Sequence, residues 1–197
     1  MRNFAWLLCA GVALLLVAAC QARQPQTQPQ TEYRPTATIK DIMDSLVDSG
    51  ADVLFDSVAT VVTKEGTEER APHTDEEWKN VRRNAIRVIE GTNLLIMPGR
   101  HVAKPGEKSE NPGIELSPEE IEAAIGKDRV AWTNFAHGLH DAAMDAFRAI
   151  EAKDAPALSN AGEKMDTACE NCHLRYWYPN QEEELKKALK RQQQGNQ

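Results

Sequence analysis

Apolar residues recur at three- and four-residue intervals through most of the chain, the signature of helices that each bury one face. The first stripe is Ile39, Ile42, Met43, Leu46, Val47, Val53, Leu54, Val58, Val61 and Val62, and it predicts a helix over residues 38–63. Thr38 with Asp41 three residues on resembles a capping box, and Lys64-Glu65-Gly66 supplies a glycine stop. Its valines are mediocre helix formers, so this helix must depend on packing. A second stripe, Trp78, Val81, Ala85, Val88, Ile89, Thr92, Leu95 and Ile96, follows the cap Thr74-Asp75-Glu76-Glu77 and stops at Pro98-Gly99. The segment from Pro98 to Leu116 is punctuated by prolines and glycines and predicts a long crossover loop.

Ser117-Pro118-Glu119-Glu120 opens a third helix that runs to about Lys153, with Gly126-Lys127-Asp128 marking a break near its start. Its stripe is Ile121, Ile125, Trp132, Phe135, Ala136, Leu139, Ala143, Ala146, Phe147 and Ile150, and His137 and His140 fall beside it as half-exposed surface histidines. A fourth helix opens near Asp154-Ala155-Pro156 and carries Leu158, Ala161, Met165, Cys169 and Cys172 on one face until Pro179 ends or bends it. The small Ala161 and Gly162 would let a neighbouring helix or a flat ligand approach closely. Four amphipathic helices, one long connection and no alternating strand pattern give an all-α fold, an antiparallel four-helix bundle over residues 38–179.

The flanks have a different character. Met1-Arg2-Asn3 is a short positive segment, and Phe4 to Ala19 is an apolar run ending in small residues, which reads as a secretory signal over residues 1–19. Val17-Ala18-Ala19-Cys20 resembles the lipobox of bacterial lipoproteins, so Cys20 is the expected lipidation site and residues 20–37, rich in Gln, Pro and Thr, an extended tether. The domain is then expected at the periplasmic face of a bacterial membrane, held there by lipid. The tail over residues 180–197 has helically spaced charges but little apolar surface and is expected to fray. A net charge of −7 argues against nucleic acid as a partner and suits a protein partner with a basic face.

The one sharp chemical signal is Cys169-Glu170-Asn171-Cys172-His173, because C-x-x-C-H is the spacing at which haem is attached covalently. Cysteines three apart share a helix face and can both reach the vinyl edge of one porphyrin, and His173 follows on the same turn as a proximal iron ligand. A thioredoxin-like C-x-x-C would open a helix after a strand, and a structural zinc site would need a second cluster near it. Neither context is present: the motif lies deep in a helical stretch, and His73, His101, His137 and His140 are scattered upstream. With Cys9 in the leader and Cys20 at its end, no cysteine is left for a disulfide.

An exported leader, four helices and a C-x-x-C-H on the last of them resemble the class II c-type cytochromes, the cytochrome c-prime family, over about Thr38 to Pro179. The resemblance implies one covalent haem c, thioether links at Cys169 and Cys172, and His173 as proximal ligand. Tyr176 matches the aromatic of the family's C-x-x-C-H-x-x-Y pattern, whereas Trp177 stands where a basic residue often follows it. The family divides into low-spin members, whose iron takes a Met from the first helix, and high-spin members with an open site for NO or CO. Met43 resembles the low-spin ligand, although Met is also a routine core filler. Met97 and Met144 stay open as ligands, as does an unliganded iron, and Met165 is excluded as lying two turns before His173 on its own helix.

The function implied is a membrane-anchored electron carrier, not an enzyme, exchanging electrons with donor and acceptor proteins. The alternative is a five-coordinate gas-binding cytochrome. Members of the family often pair through the first two helices, so a homodimer of that kind is implied too. A peroxidase-like enzyme would need a distal acid/base pair, for which Arg100-His101 in the crossover loop is the one candidate. Mass spectrometry of the mature N-terminus should find an acylated Cys20, and Cys20→Ala should release the protein from the membrane; an unmodified N-terminus elsewhere would contradict the anchor.

Overall fold

The computed structural model describes residues 33–181; the leader, Cys20 with the tether up to residue 32, and the tail beyond residue 181 lie outside the described residues. The unit that begins at Tyr33 is mostly helical. Its first helical rod comprises α1 (Ile39–Ile42), a π-helical segment π1 (Met43–Asp48) and α2 (Ser49–Ser57). A hairpin of β1 (Thr60–Thr63) and β2 (Gly66–Glu69) follows, then α3 (Asp75–Leu95), α4 (Pro118–Lys127), α5 (Arg129–Glu151) and α6 (Ala155–Tyr176).

The helices that begin from loops or joints start at side-chain caps. Thr38 accepts from the Asp41 amide while the Asp41 carboxylate accepts from the Thr38 amide, and the pairs Thr74 with Glu77 and Ser117 with Glu120 repeat the arrangement. Asp154 accepts from the Ala157 amide at 2.9 Å, ahead of Pro156 in the first turn of α6. Asp128 ends α4 and caps α5 through the Ala131 amide, so the third predicted helix is two helices jointed at the expected break.

Two departures from the sequence pattern sit at either end of the first rod. The helix predicted over 38–63 stops at Ser57, because Thr60-Val61-Val62-Thr63 is a β-branched run followed by a tight turn. Thr60 pairs with Glu69 and Thr63 with Gly66, antiparallel, and Gly66 takes a φ of 144° that a side chain would resist. Near the start, the buried positions Ile42 and Val47 lie five residues apart, the spacing of one widened π turn. Arg87 of α3 secures that turn: its guanidinium donates to the Ser45 carbonyl, to Ser49 Oγ at 2.9 Å and to Asn84 Oδ1 at 2.9 Å.

The helices close around one core. The first rod approaches α3 at two glycines: a Cβ on Gly50 would lie 2.9 Å from Val88 Cγ2 and 3.0 Å from the Asn84 carbonyl oxygen, and one on Gly91 would lie 2.8 Å from Val47 Cγ2. Trp132 of α5 is buried and donates its indole N–H to the Leu95 carbonyl of α3 at 3.2 Å. Tyr176 of α6 meets Trp132 and Phe135 edge-on, with ring centroids 5.2 and 5.8 Å apart. Phe55 of α2 packs against Gly162 of α6, so the small residue there serves a neighbouring helix.

The crossover between α3 and α4 forms a strap bound to the start of the first rod. The Ile39 and Lys40 amides donate to the His101 and Val102 carbonyls at 2.9 and 3.0 Å. Arg100 donates to the Ala37 and Leu94 carbonyls, Lys104 pairs with Asp41 at 2.8 Å, and Lys40 pairs with Glu107 at 2.9 Å. Lys104, and then the Thr38 cap, hold the Asp41 carboxyl down to about 2 from its ordinary 3.8.

Two predictions follow the packing and the strap. Gly50→Ala should destabilise, because overpacking against a backbone carbonyl costs about 1–3 kcal/mol and exceeds the gain of about 0.5–1 kcal/mol from removing a helical glycine. Gly138→Ala, where a Cβ meets nothing within 4 Å, should show only that gain; urea melts that rank the two variants alike would contradict the close approach. A carboxyl with a depressed folded pKa stabilises above its unfolded value and loses that contribution as pH falls through the folded value. The stability difference between wild type and Asp41→Asn should therefore be present above about pH 4 and gone near pH 2, and a difference independent of pH in paired melts would contradict the Asp41 linkage.

Candidate haem-binding site

Burial brings α6, the first rod, the strap and α5 around one cavity of about 360 Å³, within the range of about 300–1,000 Å³ common for ligand pockets. Cys169, Cys172 and His173 line it from α6, and Met43, Asp44 and Asp48 line it from π1. Ile39, Leu95, Val102, Leu116, Ile121, Trp132, Phe135 and Leu139 give it an apolar body, while Lys40, Glu110 and Glu115 bring charge to its lining. The two cysteines are free and half-buried.

Both thiols are held protonated. Burial pushes Cys169 up to about 12, reinforced by the Asp48 carboxylate, and burial pushes Cys172 up to about 12 with Cys169 as its neighbour. A redox C-x-x-C needs a stabilised thiolate at a helix N-terminus, whereas this pair lies in the last turns of α6. Among the described residues no group of three or more His, Cys, Asp or Glu is arranged to hold a metal ion, so the zinc reading finds no partners either.

The predicted ligand candidates separate clearly. Of the described methionines, Met43 lines the cavity. Met165 is fully buried outside it, Met97 accepts a hydrogen bond from Arg100 through its sulfur at 3.3 Å, and Met144 lines a shallow groove elsewhere. Arg100 and His101 do not line the cavity: Arg100 holds the strap, and the exposed His101 pairs with Glu122 at 2.8 Å. His137 is exposed and His140 half-buried, as expected from their places beside the stripe.

Asp44 and Asp48 were not singled out by the pattern, since the widened turn of π1 carries them to the cavity. Surrounding protein raises the Asp48 carboxyl, opposed by the nearby His173. Trp177 and Tyr178 also line the cavity, with ring centroids 6.4 and 5.8 Å from the His173 imidazole. The donor set fits a c-type haem: two neutral thiols on one helix face could hold a porphyrin edge, and an imidazole and a thioether from different helices could each hold its iron. The apolar walls suit the macrocycle, and Trp132 keeps its polar atom paired to the backbone.

No family model matches the chain, and no curated protein matches it. Among solved structures it is similar to cytochrome c prime from Alcaligenes xylosoxidans. A ferrous variant of that protein with bound NO aligns at 18% identity and a TM-score of 0.43, covering 73% of this chain and 98% of that one. The nitric oxide complex of a second mutant of the same cytochrome aligns at 17% identity and a TM-score of 0.42, with the same coverages.

Proposed function

We propose that this chain is a c-type haem electron carrier: an antiparallel four-helix bundle, held at the periplasmic face of a membrane through Cys20, whose iron is ligated by His173 and Met43. The antiparallel arrangement is supported by the contacts of Gly91 with Val47 and of Gly50 with Val88, which run in opposite order along their helices. The observation that carries the function is that Met43 lines the same cavity as Cys169, Cys172 and His173, whereas Met97, Met144 and Met165 do not.

A haem held there would supply one-electron chemistry at its iron, and ligation by a soft thioether and an imidazole would favour a higher-potential, electron-transferring state. The chain's own residues do the rest. Cys169 and Cys172 would hold the group through thioether bonds, so it would not leave when its charge changes. His173 would hold the iron through a ring nitrogen, and the Met43 thioether would hold it too and keep water and gases from it. Trp132 and Phe135 wall the cavity, and the buried Tyr176 packs edge-on against both from behind. Partners are then donor and acceptor proteins, with no substrate turned over. If Met43 is not a ligand, the apolar cavity would instead take NO or CO at the iron, the gas-binding alternative.

Met43→Leu separates these readings. The two side chains have similar volumes and such swaps usually cost less than ~1.5 kcal/mol, so the fold should persist. The haem should turn from low-spin to high-spin, its potential should fall, and CO should bind the reduced protein. A variant indistinguishable from wild type in all three would make Met43 a packing residue.

A further inference from the structure

The helix that carries the cysteines does not fray at its end. The Trp177 and Tyr178 amides both donate to the His173 carbonyl, at 2.7 and 3.0 Å, and the Trp177 carbonyl accepts from the Leu116 amide at 2.8 Å. The Gln181 amide then donates to the Tyr178 carbonyl at 3.0 Å. This turn lays Tyr178 beside His173, ring centroids 5.8 Å apart and planes inclined by 59°. The Tyr178 hydroxyl donates to Glu170 Oε2 at 2.8 Å. Glu170 is one of the two residues between the cysteines.

From this geometry we infer that Glu170 and Tyr178 form a clamp that fixes the plane of the His173 imidazole, acting as positioning residues for the iron ligand. The inference rests on the haem reading given above and adds to it a role for residues that the C-x-x-C-H spacing leaves unspecified. Rotation about the last side-chain torsion of a histidine is broad and two-fold, so the backbone alone does not set its plane. Metal-binding histidines are usually oriented by a hydrogen bond from the second ring nitrogen. Among the described residues no protein group exchanges a hydrogen bond with the ring nitrogens of His173, and Asp48 acts on it only through its charge. Orientation therefore falls to the ring contact with Tyr178.

The clamp also has a fixed reference. A phenol bonded to a carboxylate makes a strong, directional hydrogen bond, and thioether links at Cys169 and Cys172 would anchor the helix on both sides of Glu170. Tyr178 is thereby registered to the same frame as the thioether edge of the porphyrin. Trp177, its ring centroid 6.4 Å from that of His173 and its carbonyl bonded to the Leu116 amide of the strap, is the second ring beside the imidazole.

The test compares Tyr178→Phe, Glu170→Ala and the double variant in the covalently loaded, full-length protein. The readout is the pattern of paramagnetically shifted haem-methyl resonances in the oxidised state, which follows the orientation of the axial imidazole. Both single variants should redistribute that pattern in the same sense, and the double variant should shift it no further than either single one, because all three break the same bond. Methyl patterns unchanged from wild type, even with a lowered melting temperature, would reduce the pair to a structural contact and overturn the clamp; additive shifts in the double variant would overturn it too. Wild-type protein without covalent haem would overturn the haem reading instead. In that case the His173 ring-proton resonances of the same chains decide the clamp: loss of the Tyr178 ring-current shift in both single variants supports it, and unchanged resonances overturn it.

Discussion

Burial of two cysteines on the last helix, in a cavity shared with the first helical rod, is the constraint on which the rest of this molecule depends. A thiol in that position cannot ionise easily, and burial carries both Cys169 and Cys172 to about 12. The site therefore offers two neutral, weakly reactive thiols in an apolar setting, as the proposed attachment of a large apolar group requires. Everything that shapes the cavity serves this end. The strap over residues 97–116 walls it through Val102, Glu110 and Leu116, and the ion pairs of Lys40 and Asp41 bind that strap to the helix that presents Met43.

The π turn and the close helix approach are parts of one solution. Inserting a residue between Ile42 and Val47 keeps both buried while swinging Met43, Asp44 and Asp48 toward α6. A π segment has looser internal hydrogen bonding than an α-helix, and Arg87 compensates by donating to Ser45 and Ser49 from the neighbouring helix. Gly50 and Gly91 bring that neighbour near enough to do so. A single helical rod thus carries a packing face and a cavity-lining face.

Much of this was legible in the residues. The capping pairs at Thr38, Thr74 and Ser117, the crossover loop and the joint at Asp128 all rest on local chemistry, and the structure has each where the sequence puts it; the second helix stops at Leu95, just ahead of the expected Pro98-Gly99. That Met43 would face the cavity could be anticipated from its inward stripe position, and the C-x-x-C-H spacing placed Cys169, Cys172 and His173 together on one helix. The π turn could not be read, since Ile42, Met43, Leu46 and Val47 satisfy an α-helical stripe equally well. The hairpin was legible in principle from Thr60-Val61-Val62-Thr63, but its valines also extended the apolar stripe, and the helical reading ran on to residue 63. The Glu170–Tyr178 contact depends on how the chain turns as it leaves α6 after Tyr176, which no local pattern announces.

The most direct test of the account is the absorption spectrum of the purified full-length protein, oxidised and reduced, before and after exposure to CO. A covalent haem held by His173 and Met43 should give low-spin spectra in both redox states, and CO should leave the reduced spectrum unchanged. A high-spin spectrum that shifts at once with CO, or a protein with no haem bound at all, would contradict it.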